Sequence, residues 1–293
     1  MRKNKIWKIV LGWIFLIPAL ICLYLYVWRP SLTGIGWSFF KMRGYTPEEW
    51  VGFDNYIQVF RTPGFGRVML NTLQYVFWSF LIGFLPPLFI AFFINEMVHF
   101  KNGFRILIYL PAIMPGITVL LLWYFIYYPD QTGLGNQLLA RFGIEPYIWL
   151  NDSRFTIIFL VLEMTWHGFA GTMFLYYTAI QSIQTELYEA AMIDGAGSVR
   201  RFWNVAIPQL SGIILLNIVR QIIAVFQVLQ EPMVMTGGGP NGASMSVSYQ
   251  MYLFGLVQGR VGESLALGTI VFFLLIIGTC FYFYLNKKVE DNY

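Results

Sequence analysis

Glu163 and His167 stand four residues apart with Trp166 between them, and Gly168 and Gly171 follow. On a helix that spacing places a carboxylate and an imidazole on one face. A metal ion would need more ligands than this pair, and the sequence supplies no partners at a suitable spacing. A proton relay would need a third ionisable group, for which Arg220 is available. A saccharide site suits the residue types better, because pyranose rings offer apolar faces to aromatics and hydroxyls to amides and acids. A second stripe supplies such groups: Asn217, Arg220, Gln221, Ala224, Gln227 and Glu231 recur at steps of three and four. Charge facing lipid is expensive, so the stripe is expected to face a bundle interior or water. Arg220 either ties to Glu163 or to backbone carbonyls, or it lines a path.

The elements that position these residues must be membrane helices. Of 293 residues, 57% are hydrophobic and 12% charged, with a mean hydropathy of +0.60; soluble domains carry about 25% charged residues. Lipid leaves backbone groups no partner outside a helix or closed barrel, and unbroken apolar runs without alternation select helices. The runs predict an all-α integral membrane protein with six spans, at about 9–28, 69–94, 104–126, 155–180, 209–230 and 264–285, forming one transmembrane domain over 1–293. The basic start, Arg2, Lys3, Lys5 and Lys8, resembles a signal peptide, but the following run is too long and Trp28-Arg29-Pro30 is no cleavage site, so it is read as a retained first helix. Pro86, Pro87, Pro111 and Pro115 fall inside spans and are expected to kink them. No repeat of 20–50 residues is visible.

Cys22 and Cys280 each lie in an apolar run, which argues against a disulfide framework or thiolate metal site. The net charge of +4 comes from basic residues beside the spans rather than from one patch, so it signals topology rather than nucleic acid. Segments 1–8, 95–105, 181–208 and 286–293 carry ten Lys and Arg in 55 residues, against eight in 101 for the alternate set. The denser set is expected to be cytoplasmic, with both termini inside. His99 falls in one of these loops as a solvated residue.

The loop at 181–208 is more than a linker. Residues 185–194 are good helix formers, with Leu187, Ala190, Ala191 and Asp194 on one face and its neighbours. Gly195 and Gly197 break that helix. Val199, Phe202, Trp203 and Ala206 then recur at helical spacing until Pro208 marks the start of span five. Two short helices around a glycine turn make a rigid knob suited to docking. The stretch resembles the EAA loop of binding-protein-dependent ABC importer permeases: Glu189, Ala190, Ala191, Gly195 and Pro208 match, while Val205 and Ile207 stand where the family favours Ile and Leu. Met235-Thr-Gly-Gly-Gly-Pro-Asn241 resembles the Thr-x-Gly-Gly-Pro segment of the larger maltose-type permease, in its compact six-helix form.

That resemblance implies a coupling loop formed by Glu189, Ala190, Ala191, Asp194, Gly195 and Pro208, and a substrate path past Glu163, Trp166, His167, Gly168, Arg220, Gln221 and Gln227. Trp166-x-Gly168 matches a family sugar contact; residues 221–228 align with a second, but Val225 and Val228 replace its asparagines, so its detailed contacts do not carry over. No G-x-x-x-x-G-K-[ST] loop is present, so the chain is expected to bind no cofactor, with ATP and magnesium on two partner ATPase subunits. A second, different permease, an extracytoplasmic solute-binding protein and a sugar complete the implied assembly in a bacterial inner membrane. A membrane enzyme is disfavoured by the lack of H-E-x-x-H and G-x-S-x-G, while a proton-coupled transporter would use Glu163, His167 and Arg220.

Overall fold

In a computed structural model, residues 2–97 and 101–290 are described, with side chains over 11–97 and 103–284. His99 lies outside the described residues. The chain packs as two compact units, 1–63 with 251–274 and 64–250 with 275–293.

The first unit opens with a continuous helical run, Arg2–Leu23, a wide π turn at Tyr24–Trp28, and Arg29–Trp37. Its apolar side chains, such as Phe15 and Tyr26, are almost bare of protein neighbours, as befits a surface meant for lipid or another chain. The all-helical expectation then needs correction. Phe40–Arg43 and Thr46–Trp50 form an antiparallel hairpin, with Phe40 opposite Trp50. Gly44 at φ +58° makes the turn, and Trp50 stacks on Phe39 with centroids 5.5 Å apart. Asn55 ties the following helix, Asp54–Arg61, back to this hairpin by donating to Ser38 O at 2.7 Å and Phe40 O at 2.9 Å.

The second unit holds the elements that matter for function. Phe65–Trp78 passes through a π turn at Ser79–Phe84 into Leu85–Glu96. Pro86 and Pro87 fall at the start of that last segment, where missing N–H groups cost least, and the wide turn absorbs the displaced bonds. The expected continuous span at 104–126 is instead two helices, Lys101–Ile113 and Gly116–Ile126. They are bent by 98°, because Pro115 stops the first helix and leads the second. Span five begins at a second bend, of 76° between Ser198–Gln209 and Ser211–Phe226, beside Pro208 where the 181–208 loop ends. Thr156–Gln181 runs unbroken for 26 residues. Among the described residues, four helices are long and apolar enough to cross a membrane, or up to six if each bent pair is one span.

Two apolar clusters sit toward opposite ends of that unbroken helix. One gathers Tyr75, Leu120, Tyr127, Leu160, Val225 and Met235. The other gathers Phe84, Phe92, Tyr176, Ile180, Phe202 and Leu210, with Ile183 and Tyr188 packed against it.

Candidate functional site

The knob forms from Thr185–Ile193 and Ser198–Gln209. Its turn is a closed helix terminus: Gly195 N–H donates to Met192 O at 3.0 Å and Ala196 N–H to Ala191 O at 2.8 Å, the paired bonds of a Schellman cap. The cap needs a left-handed residue at its pivot, and Gly195 takes φ +75° there. Its missing Cβ faces open space, so the requirement for glycine is conformational rather than steric.

One face of the knob is anchored. Tyr188 packs into the cluster that includes Phe202 and Ile180. Arg201 forms an ion pair with Glu96 at the end of Leu85–Glu96, and Ser198 Oγ donates to the same carboxylate oxygen at 3.1 Å. The pair is largely shielded, with side chains 13% and 21% exposed. Burial pushes the nearby Tyr188 hydroxyl above its ordinary value, Glu96 adds to the effect, and Arg201 opposes it. The other face is bare. Glu189, Ala190, Asp194, Gly195 and Pro208 are exposed and Ala191 is half-buried, beside exposed Leu187, Met192, Ile193, Val199 and Trp203. The brace of Glu96, Ser198 and Arg201 escapes a sequence reading in which Arg200 and Arg201 register only as loop charge. Its one trace is an acid closing span two.

The polar face of Thr156–Gln181 is partly assembled. Glu163 is fully buried, and among the described residues its Oε2 has no hydrogen-bond partner. Trp166 meets Trp123 edge-on at 5.8 Å. His167 lies beside Gly116, where an added Cβ would sit 3.6 Å from its ring. At Gly83 a Cβ would crowd both Thr165 Oγ1 at 3.1 Å and Gln221 Nε2 at 3.4 Å, so Gln221 does converge on this helix. Glu231 lies within electrostatic reach of Glu163 and His167. Gly168 is exposed. Arg220 and Gln227 are exposed, and among the described residues no ion pair joins Arg220 to Glu163. Among the described residues no cluster of three metal-ligating side chains occurs.

Residues 83–291 match the model of a family described as binding-protein-dependent transport system inner membrane component. The chain is 31% identical over 280 residues to a probable ABC transporter permease of Bacillus subtilis, covering 94% of each. It is 29% identical to the multiple sugar-binding transport permease MsmF of Streptococcus mutans, covering 98% of this chain and 97% of that one. It is 26% identical to the trehalose/maltose transport permease MalF of Thermococcus litoralis, covering 99% and 98%. In structure it resembles a subunit of a bacterial ABC transporter that imports the acidic polysaccharide alginate, with a TM-score of 0.85 at 23% identity over 97% of this chain and 99% of that one. The knob, the bent spans and these likenesses lead to one conclusion: the chain belongs to the binding-protein-dependent transport system inner membrane component family, whose members are transport permeases of ABC importers rather than enzymes.

Proposed function

We propose that this chain forms half of the pathway for a sugar or oligosaccharide in a bacterial inner-membrane importer, driven by ATP hydrolysis on separate subunits. The observation that carries this reading is the knob, a capped, braced structure with one anchored face and one bare face on a chain that has no phosphate loop of its own. A transporter without its own ATP site must receive work through a contact. Glu189, Ala190, Ala191, Asp194, Gly195 and Pro208 form that contact, and a paired ATPase subunit covers the exposed Leu187, Met192 and Ile193. ATP and magnesium sit on two such ATPase subunits. Their closure rotates this permease and a second, different one about the docked knobs, alternating access to the path. A solute-binding protein delivers the sugar from outside.

Gly103–Ile113 with Gly116–Ile126 serves as one bent span and the helix Ser211–Phe226 as another, so the chain crosses six times as a single transmembrane domain. Both termini and the 181–208 loop face the cytoplasm. The path runs past Glu163, Trp166, His167, Gly168 and Gln221; Arg220 and Gln227, exposed here, face it in the assembled pair. A sugar is favoured by the aromatic and amide lining together with the sugar-transport names of the relatives.

The decisive experiment is Glu189→Arg in the assembled transporter. Reversing one charge of a desolvated interfacial pair costs about 2–5 kcal/mol, so the ATPase should no longer co-purify and uptake should stop. Normal co-purification, hydrolysis and uptake would exclude the coupling role.

A further inference from the structure

A cavity of about 510 Å³ opens at the end of Thr156–Gln181 remote from the knob, between residues 124–129, 148–151 and 234–240. That volume lies in the range of small-ligand sites, which are about 300–1,000 Å³. We propose that it is an outer saccharide subsite, which takes one or two pyranose rings before they reach Trp166. This inference rests on the sugar reading above.

Both walls are held rigidly by buried asparagines. Asn136 is fully buried and donates to Tyr128 O at 3.2 Å, Asp130 O at 2.8 Å and Tyr147 O at 3.0 Å. Its Oδ1 accepts from Tyr147 N–H at 2.9 Å and Trp149 Nε1–H at 2.8 Å. These bonds hold Trp149 in a left-handed backbone, at φ 38°, which a bulky residue adopts only when its surroundings over-determine it. The glycine-rich wall is held from the other side. Asn71 donates to Gly242 O at 2.8 Å and Met245 O at 3.1 Å, and Tyr75 donates to Ser244 O at 3.0 Å. Ser244 Oγ in turn donates to Gly239 O at 2.7 Å. Walls fixed without the ligand characterise a preorganised site rather than a gap between mobile loops.

The lining has the chemistry of sugar recognition. Tyr124 and Tyr128 present rings 6.0 Å apart at 74°, offering edges and faces to a pyranose. Asn151 adds a side-chain amide and Gly237 and Gly239 add carbonyl oxygens to the lining, and no charged side chain is among the lining residues, which suits a neutral ligand over an anion. A chain of packed rings leads inward from the cavity wall. Tyr127, in its wall, lies 5.1 Å from Trp123, and Trp123 lies 5.8 Å from Trp166. The 26-residue helix between cavity and knob is about 39 Å long at 1.5 Å per residue. It exceeds the ~30 Å hydrocarbon core, which puts the cavity on the face opposite the ATPases, where sugar arrives.

The test uses cells carrying the whole transporter, with Cys22 and Cys280 replaced by Ser and a single cysteine introduced as Ile148→Cys, an exposed lining position with no assigned sugar contact, or as Gly168→Cys. A membrane-impermeant maleimide is added with and without a mixture of short neutral oligosaccharides of glucose, galactose and arabinose. The subsite predicts about tenfold slower labelling at both positions with sugar. Adding Tyr124→Ala or Asn151→Ala should abolish protection at 148 and leave it at 168. Protection at 168 alone would overturn the outer subsite and preserve the sugar path. Protection at neither would overturn both. Protection at 148 that survives both lining substitutions would show that something other than sugar closes the cavity, and would also refute the proposal.

Discussion

Replacing Arg201 with Met removes the cation that joins Ser198–Gln209 to the end of Leu85–Glu96, and leaves Glu96, among the described residues, with the Ser198 hydroxyl. An exposed ion pair is worth about 0.2–1 kcal/mol, while stripping one partner from a buried pair costs about 3–5 kcal/mol. With side chains 13% and 21% exposed, this pair lies between the two limits, so a loss of about 2 kcal/mol is expected. In a chain of this size that corresponds to a fall of about 5 °C in Tm. Pairing Arg201→Met with Glu96→Leu should recover much of the loss, because no charge is left orphaned, giving a coupling energy of about 1–2 kcal/mol. The assay is the temperature at which the purified transporter loses its folded fraction, for wild type, both single variants and the double. Glu189 supplies the contrast: it is exposed and takes part in no ion pair among the described residues, so Glu189→Arg should leave Tm unchanged and abolish ATPase docking. Single variants that melt with wild type, or effects that simply add, would refute the brace. Arg201→Met should also raise the ATP hydrolysed per sugar imported, since a loosened knob transmits less of the ATPase motion.

Gly195→Val should destabilise the Schellman turn by about 1–2 kcal/mol, since a β-branched residue resists φ +75°; reduced ATPase co-purification checks it. Asn136→Ala removes the five hydrogen bonds described above and should lower stability by about 3 kcal/mol, read as a Tm shift, with Asn136→Ser recovering part of it. Trp166→Ala should raise the KM for sugar uptake about tenfold by removing a stacking face, with assembly on size exclusion unchanged. Hydrogen bonds from the Arg154 side chain, then from Tyr147 and the Arg154 backbone, hold the Asp152 carboxyl well below the usual carboxylate range. Its contribution is therefore complete above about pH 4, the unfolded value, and fades as pH falls through the lower folded value. Asp152→Asn should lower Tm at neutral pH and converge with wild type in strong acid.

The parts legible in the sequence are those set by local rules. Apolar runs located the long apolar helices because lipid imposes that pattern on each helix separately, and the helix–glycine–helix at 185–208 could be placed because a Schellman turn needs its glycine at one position. The break inside span three and the bend where span five begins were legible only in part. Pro115 announces a disturbance, but whether a helix bends slightly or by 98° depends on what packs into the angle. The hairpin at 40–50 went unseen because its strands do not alternate cleanly and its register is set by Phe39 and Trp50 stacking across the turn. Long-range polar partners are the least legible. Glu96 and Arg201 are separated by 105 residues and Asn71 and Gly242 by 171, and neither spacing carries a signal in one sequence. The polar stripe of span five shows the same limit, because helical spacing put Arg220 and Gln221 in one stripe without saying which of them meets a neighbour. Gln221 meets Thr165 across Gly83, and Arg220 is left bare. A bare arginine within an apolar helix is costly against lipid, so its exposure in this single chain is itself an argument that another subunit or a water-filled path covers that side.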